Sequence, residues 1–297
     1  MILFYKYVGI RRPETVQKQQ YALCRRFHLR GRIIVATEGI NGTLEGTAHA
    51  IQRYIMHTKE DARFASIVFK RSSGTGDAFP KLSIKVRDEI VTLGVPVKNR
   101  KPGTYVQPAK LRSWIHKKED MTILDVRNGY ETAVGRFEHS LTPRINNFRD
   151  VPNVAHNLES FKNKKLVMVC TGGIRCEKAS RYFKQQGYKQ IYQLEGGIAT
   201  YMKKYGGEDF VGSLYVFDNR ILIRGEKGKH TVVGRCAACG EFSERYTNCA
   251  YDPCHAHFIC CEICEKEDEG YCSKGCKGRA DEILKLSAKG KNSRSVV

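Results

Sequence analysis

The sequence predicts an α/β protein in three parts, and three observations carry that expectation. The first 72 residues read as strand, helix, strand, strand, helix, strand. From about residue 111 strands and helices alternate around one continuous apolar run, KLVMVC (165–170). Nine of the 12 cysteines are packed between Cys236 and Cys276. The first order is that of a ferredoxin-like α+β domain. The second implies an α/β domain on a parallel sheet, whose central strands are apolar on both faces. The third marks a small Cys-rich region at the C-terminal end.

Each element has a local reason. Residues 2–8, ILFYKYV, are apolar and aromatic, as strands prefer. Residues 13–29 place Pro13 near the start and space Val16, Leu23 and Phe27 as on one helix face. GRIIVA (31–36) is a second strand. EGINGTLEG (38–46) is glycine-punctuated, and its Asn41–Gly42 pair is a hairpin-turn signal. Thr47 is a candidate cap for a helix running to about Thr58, with Ile51, Tyr54 and Ile55 on one face. SIVFKRS (66–72) is a strand, and KLSIKVRDEIVTLG (81–94) adds a strand or ribbon. Pro96, Pro102, Gly103 and Pro108 mark 96–110 as a linker. A short helix (about 109–117), the strand TILDVR (122–127), the strand KLVMVC, a helix over 177–187 and the strand and turn IYQLEGG (191–197) follow. The expected division is 1–95 ferredoxin-like, 96–110 linker, 111–230 catalytic α/β domain, 231–280 Cys-rich, and 281–297 a basic flexible tail.

Composition narrows the function classes. The 297 residues carry a net charge of +20. Residues 1–100 hold 18 Lys+Arg against 8 Asp+Glu, a net of +10, so the excess is not a tail effect. Such a balance favours a polyanionic partner. No apolar stretch approaches 18 residues, no lipidation motif is present, and the first residues lack a basic lead into an apolar run. A cytoplasmic protein without membrane attachment is therefore expected.

The most informative stretch is VMVCTGGIRCEKAS (167–180). A buried strand ends at Cys170 and a helix follows after CTGGIR. Thr171, Gly172, Gly173 and Ile174 then offer backbone N–H groups to whatever sits above the sulfur. These amides, with Arg175, favour a thiolate and an anion bound to it or carried on it. Cys170 is the candidate nucleophile. Arg175 either donates to the anion or tethers the loop to Asp125. Cys176 is either a supporting thiol or a small core residue. Asp125 and Arg127 suggest a buried ion pair that sets the loop.

This loop resembles the C-x4-R active-site loop of rhodanese domains. Asp125–Arg127 with Glu131 resembles their D-x-R…E segment, and LEGGI (194–198) their closing motif. GRFEHSLTPRI (135–145) departs from the usual G-H-I-x-G-A stretch, which argues against a simple thiosulfate enzyme. CTGGIRCEK, GRIIVATEGINGTLEG and NCAYDPCHAHFICCEIC…GYCSKGC together resemble the rhodanese-domain tRNA uridine hydroxylase family over about residues 1–280. That resemblance implies a central rhodanese-like domain and Cys170 as the catalytic cysteine. It also implies oxygen-dependent hydroxylation of the wobble uridine to 5-hydroxyuridine, with the tRNA anticodon loop as partner. The alternative activity is a rhodanese-type sulfurtransferase that passes persulfide sulfur to tRNA or a carrier protein. A third reading is a non-catalytic, zinc-bearing RNA-binding module. No flavin, nicotinamide or 2-His-1-carboxylate signature is present, so no organic cofactor is expected and the electron donor is unassigned.

The Cys-rich region pairs as Cys236/Cys239, Cys249/Cys254, Cys261/Cys264 and Cys272/Cys276. Eight thiolates suit two structural zinc ions, with an iron–sulfur cluster as rival. The expected sets are Cys236, Cys239, Cys261, Cys264 and Cys249, Cys254, Cys272, Cys276, with Cys260, His255 and His257 as spare ligands. For RNA, Arg11, Arg12, Arg25, Arg26, Arg30 and Arg32 are the candidates, with Phe4, Tyr5 and Tyr7 as stacking aromatics. Arg100, Lys101, Lys110, Arg112, His116, Lys117 and Lys118 form a second basic group.

Overall fold

The computed structural model describes residues 1–98, 101–226 and 230–292. Arg100 and the last five residues of the expected tail lie outside them.

The N-terminal domain runs β1 (Ile2–Tyr7), α1 (Pro13–Arg26), β2 (Arg30–Ala36), β3 (Gly39–Glu45), α2 (Ala48–Glu60), β4 (Val68–Arg71) and β5 (Leu82–Val86). Its sheet order is β4-β1-β3-β2-β5, the ferredoxin-like arrangement with one added parallel strand. Alternation along β1 sends Ile2 and Phe4 into a core with Val16, Ile33, Val35, Ile51 and Tyr54. Leu3, Tyr5 and Tyr7 therefore point to the opposite face. Thr47 Oγ1 accepts from the Ala50 N–H and caps α2 as expected.

The hairpin turn is displaced from its expected position. β2 and β3 are joined across Thr37 and Glu38, and Asn41–Gly42 sits in the middle of β3. Gly42 is there for close packing: a Cβ on it would lie 2.6 Å from the Phe4 ring. Asn41 Nδ2 donates to the Ile90 carbonyl instead of shaping a turn.

The central domain follows as β6 (Thr104–Val106), α3 (Pro108–His116), β7 (Thr122–Asp125), α4 (Gly129–Thr132), β8 (Gly135–Phe137), α5 (Val151–Asn157), β9 (Lys165–Val169), α6 (Ile174–Gln185), β10 (Gln190–Leu194) and α7 (Gly197–Tyr205). Its four-stranded sheet, β6-β10-β9-β7, is parallel throughout. The expected linker 96–110 is in part structural, because β6 and the start of α3 lie within it. Val91, Leu93, Val95 and Val97, just before and inside it, pack on the core around Leu166 and Met168. Proline and glycine punctuate the chain here, but Leu93 and Val106 are buried and Val91, Val95 and Val97 partly so.

The C-terminal region adds β11 (Phe210–Gly212), which pairs with β8, then the β12 (Leu214–Tyr215)–β13 (Leu222–Ile223) and β14 (Tyr246–Asn248)–β15 (His257–Ile259) ribbons. The helices α8 (Glu262–Glu267) and α9 (Lys274–Asn292) close the chain. α9 runs into the first part of the segment expected as a basic tail, 281–297. Among the described residues, no helix is long and apolar enough to cross a membrane.

Candidate active site

Cys170 directly follows β9, at the C-terminal edge of the parallel sheet where open α/β folds place their ligands. The loop is shorter than expected, since α6 starts at Ile174 and its first turn takes in Arg175 and Cys176. Gly173 caps that helix at φ +99°, a conformation few other residues adopt. Its N–H donates to the Cys170 sulfur at 3.1 Å. The LEGGI segment supports the loop from the other side: Ile198 N–H donates to the Cys170 carbonyl and Ala199 N–H to that of Thr171. A Cβ at Gly197 would lie 2.6 Å from both carbonyl oxygens, so the contact requires glycine.

Cys170 has no exposed surface. Burial alone would raise its pKa. The donating Cys176 thiol, the Arg175 charge and the N–H groups of Cys176 and Gly173 outweigh it, bringing Cys170 down to about 6. Cys176 moves the other way, well above the ordinary thiol range, through burial and the adjacent Cys170. One sulfur is thereby held as thiolate and its neighbour as thiol.

The buried charges divide into two pairs. Arg127 grips Asp125 through Nε and Nη2, both side chains fully buried, and also donates to the Gly135 carbonyl. Arg175 binds Glu131 with both terminal nitrogens. Of the two readings of Arg175, the tether to Asp125 is not formed: Asp125 is taken by Arg127, and Arg175 holds Glu131 instead. Glu131 also accepts from Thr171 Oγ1 and the Asn128 N–H, which ties the loop to α4.

The N-terminal domain lies over the loop. Tyr7 donates its hydroxyl proton to the Ile174 carbonyl at 3.3 Å. Leu3 Cδ2 and Tyr5 Oη would lie 3.2 Å and 3.1 Å from a Cβ on Gly172 and Gly173. Lys70 Nζ donates to the Gly172 and Gly196 carbonyls. Lys178 on α6 pairs with Glu38 and Glu89. The proposed stacking aromatics are thus accounted for otherwise: Phe4 is core, and Tyr5 and Tyr7 face the reactive loop. The segment 38–43 also reads in the sequence as one that could fold over the central domain's pocket, and Glu38 does reach Lys178 there. Lys70 and Glu89 carry no local signal, since their partners stand 102 and 89 residues away in the chain.

The six candidate RNA-contact arginines are all exposed. Arg11 and Arg12 precede α1 and Arg25 and Arg26 end it, so the two pairs are separated by about 20 Å of helix. Arg32 is different. Cross-strand pairing sets Arg32, Thr43, Leu3 and Lys70 in one row, and directly paired residues share a sheet face. Arg30, two residues earlier on β2, shares that face.

The cysteines gather in two groups of four: Cys236, Cys239, Cys261, Cys264 and Cys249, Cys254, Cys272, Cys276, each with sulfurs within 4.8 Å of one another. Four convergent thiols suit a tetrahedral metal ion. His257 belongs to neither group. It stacks on Tyr246 at 4.8 Å, and Tyr246 donates to the carbonyl of Tyr130, beside Glu131.

Family models divide the chain in the same way. A UPF0176 acylphosphatase like domain matches residues 1–90, a rhodanese-like domain residues 107–204, and a rhodanase C-terminal model residues 211–277. Proteins named tRNA uridine(34) hydroxylase match along most of the chain. The Cytophaga hutchinsonii protein is 39% identical over 279 residues, covering 93% of this chain and 89% of its own. That of Listeria monocytogenes is 42% identical over 284 residues, covering 93% and 88%. The chain belongs to the tRNA uridine(34) hydroxylase family. Solved structures similar to part of the chain include a rhodanese-related protein from Thermoplasma volcanium, 27% identical, TM-score 0.29, covering 34% of this chain and 92% of its own. A rhodanese-like domain protein from Staphylococcus aureus is 26% identical, TM-score 0.28, covering 33% and 90%. For this tRNA uridine(34) hydroxylase family member, the strand order and family models carry the fold assignment.

Proposed function

We propose that this chain hydroxylates the wobble uridine of tRNA at carbon 5, with Cys170 as the reactive group. The single observation that carries this is the Cys170 sulfur, held as thiolate at a strand end by the Gly173 N–H and the charge of Arg175. A thiolate can add to carbon 6 of a uracil ring, which leaves carbon 5 electron-rich; one atom of molecular oxygen would bond there, an external two-electron donor would reduce the other to water, and loss of the thiolate would restore the ring. A persulfide on the same sulfur, formed by taking a sulfane sulfur from a donor that departs as its thiolate, is the other route. The hydroxylase names of the full-length relatives favour this reading over sulfur transfer. Cys170 has no exposed surface, so a base reaches it only after the side chains over the loop shift. An anticodon loop presents bases already free of a duplex.

Arg175 acts on the sulfur through its charge while Glu131 fixes its position. Asp125 and Arg127 anchor the strand end. Thr171, Gly172, Gly173 and Ile174 supply the backbone of the cradle, and Cys176 donates to the thiolate. Arg30 and Arg32 are the best placed of the arginines for tRNA, since they share the sheet face that meets the loop. The two cysteine groups fit structural zinc, each with four sulfur ligands and no position left for substrate. Nothing in these roles requires a membrane, and a cytoplasmic location suits a tRNA substrate. We take the first domain as 1–95, the central catalytic domain as 111–230 and the Cys-rich region as 231–280, the division read from the sequence.

The test is nucleoside mass spectrometry of tRNA from cells that carry the protein, its Cys170→Ala variant, or neither. The reading requires 5-hydroxyuridine only with the intact cysteine. Normal levels in the variant end it, and a thiolated product would favour sulfur transfer.

A further inference from the structure

The Gly172–Gly173 peptide has two ends with different partners. Its N–H points at the Cys170 sulfur, 3.1 Å away. Its carbonyl accepts from Lys70 Nζ, which reaches across from β4 in the other domain and also donates to the Gly196 carbonyl at 2.9 Å. In a trans peptide the N–H and C=O point in opposite directions. The orientation that serves the sulfur is therefore the one that serves the lysine.

Two consecutive glycines leave this peptide unusually free to rotate. A flip would turn a carbonyl oxygen, a partial negative charge, toward the thiolate. The N–H to sulfur bond alone must hold the peptide unless the carbonyl is also held. Among the described residues Lys70 pairs with no carboxylate, and its ammonium lies 5.7 Å from the centre of the Tyr5 ring. Its charge is committed to the loop. Burial acts to lower its pKa, and the nearby Cys170 and Cys176 oppose that.

We propose that Lys70 is a positioning residue for Cys170: its ammonium locks the Gly172–Gly173 peptide with the N–H toward the sulfur. Docking of the N-terminal domain therefore completes the reactive loop. Other groups also face this sulfur. Cys176 and Arg175 do so from α6, and Tyr5 does so from β1. Glu131 and Asp125 act on it through Arg175, and Glu195 lies near Lys70. Lys70 differs from these because it acts on an amide's orientation, reaching the Gly172 carbonyl from the N-terminal domain that also supplies Tyr5.

The proposal rests on Cys170 as the reactive group, so its test reads the sulfur directly. Thiolate absorbance near 240 nm is titrated in the full chain, with the Cys170→Ser counterpart of each protein subtracted. With Lys70 the midpoint should fall at about 6. In Lys70→Met it should climb to about 7 or above. Lys70→Arg should restore most of the depression, and Lys70→Gln, which keeps a donor without the charge, should fall between. The acid limb of kcat/KM for tRNA hydroxylation should move with the midpoint. A Lys70→Met midpoint unchanged from the parent overturns the proposal, and so does a loss confined to KM with the acid limb unmoved, which would make Lys70 an RNA contact. Thermal melts check that each variant is folded, and the glutamine variant serves as the test if the methionine variant is not. Hydroxylation that survives Cys170→Ala would overturn the functional reading, yet the titration would still decide the role of Lys70.

Discussion

Glu131 closes on Arg175 with both carboxylate oxygens, and the pair is buried at the mouth of the reactive loop. The carboxylate comes from α4 and the guanidinium from the first turn of α6, so the bond ties α4 to the helix that follows Cys170. Arg175 lowers the Cys170 pKa by its charge, and Glu131 sets where that charge stands.

Breaking this pair should be costly. Glu131→Gln leaves a buried guanidinium without its counter-charge, and a loss of about 3–5 kcal/mol is expected. Urea unfolding of the variant measures it. A loss below about 1 kcal/mol would mean that water or another group replaces the carboxylate.

The pH dependence follows from the sign of the Cys170 shift. Its folded pKa, about 6, lies below the ordinary thiol value of roughly 8.5. The thiolate therefore contributes stability that is fully present above the ordinary value and is lost as pH falls through about 6. Denaturation of the protein and its Cys170→Ser variant across that window should show the difference narrowing toward acid pH. Activity should fall along the same limb, and a flat profile from about pH 8 to pH 5 would contradict the assignment.

The cysteine groups predict a metal content. Elemental analysis of purified protein should give two zinc ions per chain. Cys264→Ser should lose one and Cys254→Ser the other, because the two sets share no ligand. Chelation should also alter the signals of Tyr246 and His257, whose ribbon runs between the two sets of ligands. Loss of both ions from a single substitution would refute the separation.

Binding to tRNA should depend on Arg30 and Arg32 more than on Arg11 and Arg12. The Arg30→Ala/Arg32→Ala double variant should weaken affinity and flatten its salt dependence by a slope between about 1 and 2, as expected for two lost phosphate contacts. Equal effects from the Arg11 and Arg12 pair would place the RNA on the helical side of the domain.

Much of this was legible in the residues. CTGGIR after an apolar strand announced a nucleophile loop, since glycines and a strand-to-helix turn have few other uses there. The spacing of the cysteines gave the four ligand pairs, because pairs on tight turns are local, whereas the folded chain brings the pairs together as two groups of four. Asn41–Gly42 misled, since a glycine that admits a neighbouring ring and a glycine that makes a turn look alike in one dimension. The linker is a similar case: Pro96 and Gly103 mark bends, but the packing of Val97 and the burial of Val106 show only once the core is assembled.

What the sequence by itself determined was chemical identity and local geometry: a thiol at a strand end, a glycine cradle, eight metal-ready sulfurs and a basic first domain. What the tertiary structure alone decided was pairing at long range. It gave Arg175 to Glu131 and Asp125 to Arg127, and it set Lys70 on the carbonyl of Gly172, 102 residues away. Periodicity and spacing are encoded by neighbours in the chain, whereas which buried charge meets which depends on how separate layers pack.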